Sequence, residues 1–259
     1  MRELEQRWFI VIGEPFHPGG QTAWVAPVRS AGGQDLVLKV AWRHPEGLHE
    51  ADGLRAWDGQ AAVRLHRAAD LDADTTALLL ERCTPGNTLA DRPELEQDVV
   101  ITGLLSRLWR PPPEKTSFRP LSVMCDQWAD EFELKAAAGR GRLDPGLARE
   151  GMTALRSLPR SAQQRVLLCT DLHAGNVLAA EREPWLVIDP KPYIGDPTYD
   201  VLQHMLNCDE RLRADPDDFT ARIAKLADLD VRRLWLFARC VQESPDWPAL
   251  GDIATLLAS

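Results

Sequence analysis

Three polar residues stand at a spacing that suits phosphoryl transfer to a hydroxyl. Asp171 is followed five residues later by Asn176, and a second acid, Asp189, ends the apolar run Trp185-Leu186-Val187-Ile188. Phosphoryl transfer asks little covalent chemistry of a protein; it asks for positioning and for charge to be offset. One carboxylate must accept or orient the hydroxyl proton. Magnesium must be held by oxygen donors, and it takes few from the protein because it keeps waters and phosphate oxygens. Asp171 suits the first task, and the Asn176 carbonyl and Asp189 carboxylate suit the second. Each alone would pass for an ordinary turn residue. The interval from Asp171 to Asn176 equals that between base and metal-binding Asn in kinase catalytic loops, and this makes the three a candidate site.

Other residues fall into place around them. Lys39 lies inside the apolar run Val37-Leu38-Lys39-Val40, where a lone charge is costly without a partner. Glu50 is the expected partner, with Glu46 one turn earlier as the alternative; phosphate oxygens would be its other neighbours. Gly19 and Gly20 offer backbone N–H groups to phosphate, although no Gly-Lys-Ser/Thr follows to make a Walker loop. Asp196 is expected on the acceptor side, together with acids between Asp200 and Asp218. His173 has no Ser-His-Asp or metal-type company and is taken as loop scaffold.

The run Cys169-Thr170-Asp171-Leu172-His173-Ala174-Gly175-Asn176-Val177-Leu178 resembles the aminoglycoside and hydroxyurea antibiotic-resistance kinases, which include the streptomycin 6-phosphotransferases. So do Ile188-Asp189-Pro190-Lys191-Pro192 and Gly195-Asp196-Pro197-Thr198-Tyr199-Asp200, and upstream Trp24 to Val28 and Val37 to Val40. The likeness covers nearly the whole chain. Asp-Pro-Lys-Pro is its most discriminating piece, since protein kinases carry Asp-Phe-Gly there. The chain departs from the pattern at Cys169-Thr170, where relatives often have His-Gly.

The resemblance implies an α+β, bilobal, protein-kinase-like fold. A small antiparallel-sheet lobe over residues 1–83 would bind nucleotide. A mainly helical lobe over 84–259 would carry the catalytic loop and acceptor site. It also implies ATP and Mg2+ as cofactors, and a link around Glu81 to Cys83 whose backbone meets adenine. Asp200 would be a structural acid anchoring the catalytic loop. The implied activity is transfer of the γ-phosphate to an aminoglycoside such as streptomycin. Hydroxyurea or another small metabolite is the alternative acceptor. A catalytically inactive nucleotide-binding protein is disfavoured, because Lys39, Asp171, Asn176 and Asp189 are all present. A protein kinase is disfavoured by the short stretch from Asp189 to Gly195, which leaves no room for a long activation loop.

The elements expected to position these groups follow from periodicity and breakers. Strands are predicted at 7–12, 22–30, 35–42, 63–66 and 75–82, with a helix opened by Pro45 and running past Glu50 to Trp57. Beyond Thr84-Pro85-Gly86 the pattern turns helical: 95–109, 121–138 and 146–158. Short strands at 166–168, 177–178 and 186–188 carry the motif, and helices at 200–206, 219–226, 231–242 and 249–257 close the chain.

Composition narrows the partners. A net charge of −9 disfavours nucleic acid, which seeks a basic face, and favours a cationic small molecule. No apolar run is long enough to span a bilayer, and the charged start Met1 to Arg7 carries no signal-like segment, so the expected location is the cytoplasm. Five scattered cysteines with no CxxC pair are expected to be reduced thiols, mostly buried.

Overall fold

Leu4 and Trp8 are four residues apart, on one face of a helix, and the chain opens as helix α1, Arg2–Trp8. The sequence pattern predicts a strand from residue 7. Instead Phe9, at φ 54°, closes the helix in the left-handed region, and strand β1 is only Ile10–Ile12. The structure, a computed structural model, describes every residue except Pro18, Gly20, Gln21, Lys115, Thr116, Arg232 and Ser259.

β2 (Ala23–Ser30) and β3 (Asp35–Trp42) form the expected hairpin, with Val25 opposite Lys39. A 3-10 turn over Pro45–His49 runs directly into helix α2, Glu50–Trp57. β4 (Leu65–Asp70) and β5 (Thr75–Glu81) complete an antiparallel sheet in the order β1-β2-β3-β5-β4. β4 starts two residues later than predicted because Val63 is engaged elsewhere: its N–H donates to the Val187 carbonyl at 3.0 Å.

Alternation along the strands divides their residues between two faces. Leu36 and Leu38 join Ala77, Leu79, Leu4 and Trp8 in a small cluster under α1. Leu78 and Leu80 point the other way and join Leu54 and Trp57 of α2 in the main core. Lys39 follows Leu38 and so faces the α2 side.

The helical lobe begins with α3 (Glu94–Leu108), α4 (Leu121–Ala137) and α5 (Pro145–Ser157). Four three-residue strands follow: β6 (Val166–Leu168), β7 (Val177–Ala179), β8 (Trp185–Val187) and β9 (Tyr193–Gly195). Five helices close it: α6 (Pro197–Leu206), α7 (Asp209–Ala214), α8 (Pro216–Ala227), α9 (Arg233–Glu243) and α10 (Pro248–Ala258). Two of these elements have no signal in the sequence pattern. β9 is recognisable only by its partner β6, and α7 is too short to show a period. Acids cap three of the helices: Asp144 before α5, Asp196 before α6 and Asp215 before α8.

The two lobes share one core. Leu54 and Trp57 pack with Leu105 and Leu108, and Trp57 Nε1 donates to the Leu108 carbonyl at 2.9 Å. No helix among the described residues is long and apolar enough to cross a membrane. All five cysteines are free, and four are buried.

Candidate active site

Lys39 resolves the choice between its two candidate partners. Its Nζ donates to both oxygens of Glu50, at 2.8 and 2.7 Å, and to Asp189 Oδ1 at 2.5 Å. Glu46 turns elsewhere. Burial works against the ammonium, but the two carboxylates outweigh it and the Lys39 pKa is raised. Burial would likewise push Asp189 up; Lys39 outweighs it and holds that carboxyl below its ordinary range. Both residues are therefore charged at neutral pH.

Two short strand pairs bring the motif together. In the β7–β8 hairpin Val177 lies opposite Val187, and Ile188 N–H donates to the Asn176 carbonyl at 2.9 Å. Asn176 and the residue beside Asp189 therefore meet at one end of the hairpin. In the β6–β9 pair Leu168 lies opposite Tyr193, and Lys191 N–H donates to the Cys169 carbonyl at 2.9 Å. This lays the Asp-Pro-Lys-Pro run against the loop that carries Asp171. Asn176 Nδ2 donates to the Asp171 backbone carbonyl at 3.0 Å. Only the amide nitrogen can donate, so the Asn176 side-chain oxygen remains for another partner.

Asp200 anchors this loop. It is fully buried, and it accepts from Thr170 N at 2.7 Å, Cys169 N at 3.0 Å and Trp109 Nε1 at 2.9 Å. Burial raises its pKa to about 6, against the pull of those donors. The anchor holds a strained turn, since Thr170, a β-branched residue, sits at φ 55°; Asp189 also lies in the left-handed region, at φ 52°. His173 folds back on its own loop, its Nδ1 accepting from Gly175 N at 3.1 Å.

A cleft of ≈ 520 Å³ lies between the lobes. Val25, Val37, Val63 and Leu80 of the sheet lobe and Leu178 and Ile188 of the helical lobe give it apolar walls; Lys39, Asn176 and Asp189 line it as well. Gly19, Glu81 and Cys83 also line it, whereas Gly20 falls outside the described residues. The Glu81 carboxylate is held by Arg182 at 2.8 Å and by Arg64 N at 2.9 Å, so that side chain is not free to read a ligand. Among the described residues no cluster of three or more His, Cys, Asp or Glu could cage a metal. An Asn oxygen with one carboxylate nevertheless suits magnesium, which takes its remaining ligands from water and phosphate.

On the far side of Asp171 a second cavity of ≈ 280 Å³ is lined by Glu46, Trp128, Glu131, Lys191, Arg239 and Glu243, among others. Asp196 does not line this cavity. Its Oδ1 caps α6 through Thr198 N at 3.0 Å and its Oδ2 accepts from Trp235 Nε1 at 3.0 Å. Three of the acids after it are engaged in the same way, Asp200 in the anchor, Asp215 in a cap and Asp217 on Arg233 at 2.8 Å, and none of the acids from 200 to 218 lines the cavity. The cavity's acids come instead from α4, α9 and the 3-10 turn of the sheet lobe. Arg239, fully buried, pairs with Glu243 at 2.9 Å and stacks 4.3 Å from the Trp128 ring.

Lys191 was not singled out from the sequence. Its Nζ lies 2.7 Å from Asp171 Oδ2 and 3.7 Å from Glu46 Oε2. The signal was a lysine between two prolines, two residues after a candidate metal ligand.

Comparison with known proteins fits this geometry. Residues 7–249 match the family described as aminoglycoside/hydroxyurea antibiotic resistance kinase. A hydroxyurea phosphotransferase of Kitasatospora aureofaciens is 39% identical over 217 residues, which cover 79% of this chain and 59% of that protein. A streptomycin 6-kinase of Streptomyces glaucescens is 35% identical over 202 residues, covering 78% of this chain and 64% of that one. The chain thus spans about three fifths of the length of these relatives. Among solved structures, an aminoglycoside phosphotransferase in ternary complex with ADP and hygromycin B superposes with a TM-score of 0.58 at 15% identity, covering 99% of this chain and 94% of that one.

Proposed function

The chain belongs to the aminoglycoside/hydroxyurea antibiotic-resistance kinase family, and from that premise we propose that it transfers the γ-phosphate of ATP to a hydroxyl of a small cationic molecule. Streptomycin is the first candidate acceptor. The observation that carries the reading is the meeting of Lys39, Glu50 and Asp189 within 2.5 to 2.8 Å, beside a loop presenting Asp171 and Asn176. An inactive binding protein has no need to keep that set complete.

In this reading the adenine lies between the apolar walls of the cleft, against the backbone near Glu81 and Cys83. Lys39, fixed by Glu50, holds phosphate oxygens, and the cleft-lining Gly19 offers them a backbone N–H. The Asn176 oxygen and the Asp189 carboxylate would hold magnesium. Bound there, magnesium would offset phosphate charge and keep the γ-phosphoryl group in line for attack. Asp171 orients the acceptor hydroxyl and takes its proton. Asp200 keeps Asp171 in place through the backbone of residues 169 and 170. Thiols that stay reduced and a supply of ATP match a cytoplasmic setting.

Hydroxyurea is the second acceptor, supported by the relative at 39% identity. The test is a screen for ATP-dependent phosphorylation of streptomycin, other aminoglycosides and hydroxyurea, with the product detected by mass. A mass gain of one phosphoryl group on streptomycin is expected. A gain on hydroxyurea alone would reassign the acceptor, and no product from any of them would overturn the antibiotic-kinase reading.

A further inference from the structure

Lys191 has an immobile backbone and a side chain with two places to go. Its N–H donates to the Cys169 carbonyl at 2.9 Å, and its carbonyl accepts from Thr170 Oγ1 at 2.5 Å. Pro190 and Pro192 restrict the chain on both sides. The ammonium sits 2.7 Å from Asp171 Oδ2 and 3.7 Å from Glu46 Oε2, and all three residues line the ≈ 280 Å³ cavity. Rotation at the end of the lysine stem exchanges one carboxylate for the other with no backbone movement. Glu46 is itself fixed, since its Oε1 accepts from Trp128 Nε1 at 3.2 Å. Burial opposes the Lys191 charge, but Asp171, then Glu46 and Asp189, outweigh it and raise its pKa. The group therefore stays cationic at neutral pH.

An ammonium on Asp171 Oδ2 takes one of that oxygen's two lone pairs and covers that side of the carboxylate, so a hydroxyl approaching there has to compete with it. Among the described residues no other cation lies within 4 Å of the Asp171 carboxylate. We propose that Lys191 is a positioning residue that occupies Asp171 while the acceptor site is empty and moves to Glu46 when an acceptor hydroxyl arrives. The inference rests on the kinase reading above. What Lys191 suppresses is the use of water as acceptor. In that reaction the water oxygen bonds to the γ-phosphorus. The bond from that phosphorus to the β–γ bridging oxygen breaks, its electron pair leaves with ADP, and the water proton passes through Asp171 to solvent. In productive transfer the acceptor hydroxyl takes the place of water.

The test is acceptor-free ATP hydrolysis. Lys191→Met, which keeps the stem and removes the charge, should raise its kcat at least about fivefold with little change in KM for ATP. Lys191→Arg, which keeps a cation, should raise it less. Adding Asp171→Asn to Lys191→Met should remove the gain, a result that a general loosening of the fold would not give. Glu46→Gln keeps an acceptor for Trp128 and removes the second anionic seat; it should lower acceptor-free hydrolysis at least about twofold. Hydrolysis in Lys191→Met at or below the parent rate overturns the proposal, as does a gain that survives Asp171→Asn. If Lys191→Met does not fold, Glu46→Gln decides, and an unchanged or higher rate overturns it. Calorimetry with magnesium and AMP-PNP separates the two levels. A parent that does not bind them overturns the kinase reading, whereas binding with parental hydrolysis in the variants overturns only the role of Lys191.

Discussion

Two acid–lysine–acid arrangements face each other across this site, and they are built differently. On the proposed nucleotide side Lys39 stands between Glu50 and Asp189, with contacts of 2.5 to 2.8 Å and a side chain only 10% exposed. On the acceptor side Lys191 stands between Asp171 and Glu46, at 2.7 and 3.7 Å, and is 24% exposed. The two are tied through the chain: Glu46 and Glu50 lie four residues apart, Asp189 and Lys191 two apart. The first can be rigid, because a nucleotide phosphate always presents the same oxygens. The second has to admit a hydroxyl from solvent, and its uneven spacing leaves the room. Pre-organisation is concentrated where the ligand does not vary.

The sharpest way to separate the two sides is Asp171→Ala. Turnover should fall at least about a hundredfold, the usual scale of a lost acid–base group, while calorimetric binding of magnesium and nucleotide stays near the parent value. A rate retained within about tenfold would remove Asp171 from the role of base. Next in size is the nucleotide-side pair. Lys39→Ala and Glu50→Ala should each raise KM for ATP and lower turnover. In a double-mutant cycle they should show coupling of about 1 to 3 kcal/mol. Additive losses would mean that the pair does not act as a unit.

A smaller effect is expected from Asp200. Its folded pKa of about 6 exceeds the ordinary 3.8, so folding takes up a proton at this group between those values. Its contribution to stability is thus present at low pH and is lost as pH rises through about 6. Turnover should run the other way. Protonation below about 6 puts a hydrogen on an oxygen that must accept from the backbone N–H of Cys169 or Thr170, and the loop loosens. Thermal melts of the parent minus Asp200→Asn, and kcat of the parent across pH 4.5 to 7.5, should slope in opposite directions. Parallel slopes would place the titration elsewhere. The smallest effect concerns the acceptor cavity, with Glu46, Glu131 and Glu243 on its wall. KM for streptomycin should rise a few-fold between low and physiological salt, as screening weakens exposed charge pairs, while KM for hydroxyurea stays flat. Equal salt dependence for both would mean that the cavity's carboxylates do not meet the acceptor.

The members of the proposed nucleotide half stand out in the sequence because each is anomalous there. A lysine inside a strand, an Asn five residues after an Asp and an acid ending an apolar run all violate the local pattern. The acceptor half was not legible, because Glu46, Glu131 and Glu243 are unremarkable acids on helical segments and only tertiary packing brings them to one cavity. Asp196 shows the complementary case. An Asp before Pro197 at a helix start satisfies a local capping rule, and the Trp235 indole that takes its other oxygen is 39 residues away. The fold shows the same division. Hairpins and long periodic helices were readable, whereas α1 went unseen, with a strand expected from its last two residues onward, and β9 was missed. A seven-residue helix that buries only Leu4 and Trp8 carries a weak period, and a three-residue strand is defined by its neighbour.

Four residues after Asp189 the chain is already paired, with Tyr193 opposite Leu168. Nothing between them is long enough to swing in or out. The consequence is one of timing. With no activation segment to order between Asp189 and Tyr193, that stretch imposes no slow start, so product should accumulate from the moment of mixing without a lag. How fast it accumulates then owes nothing to the ordering of a segment after Asp189.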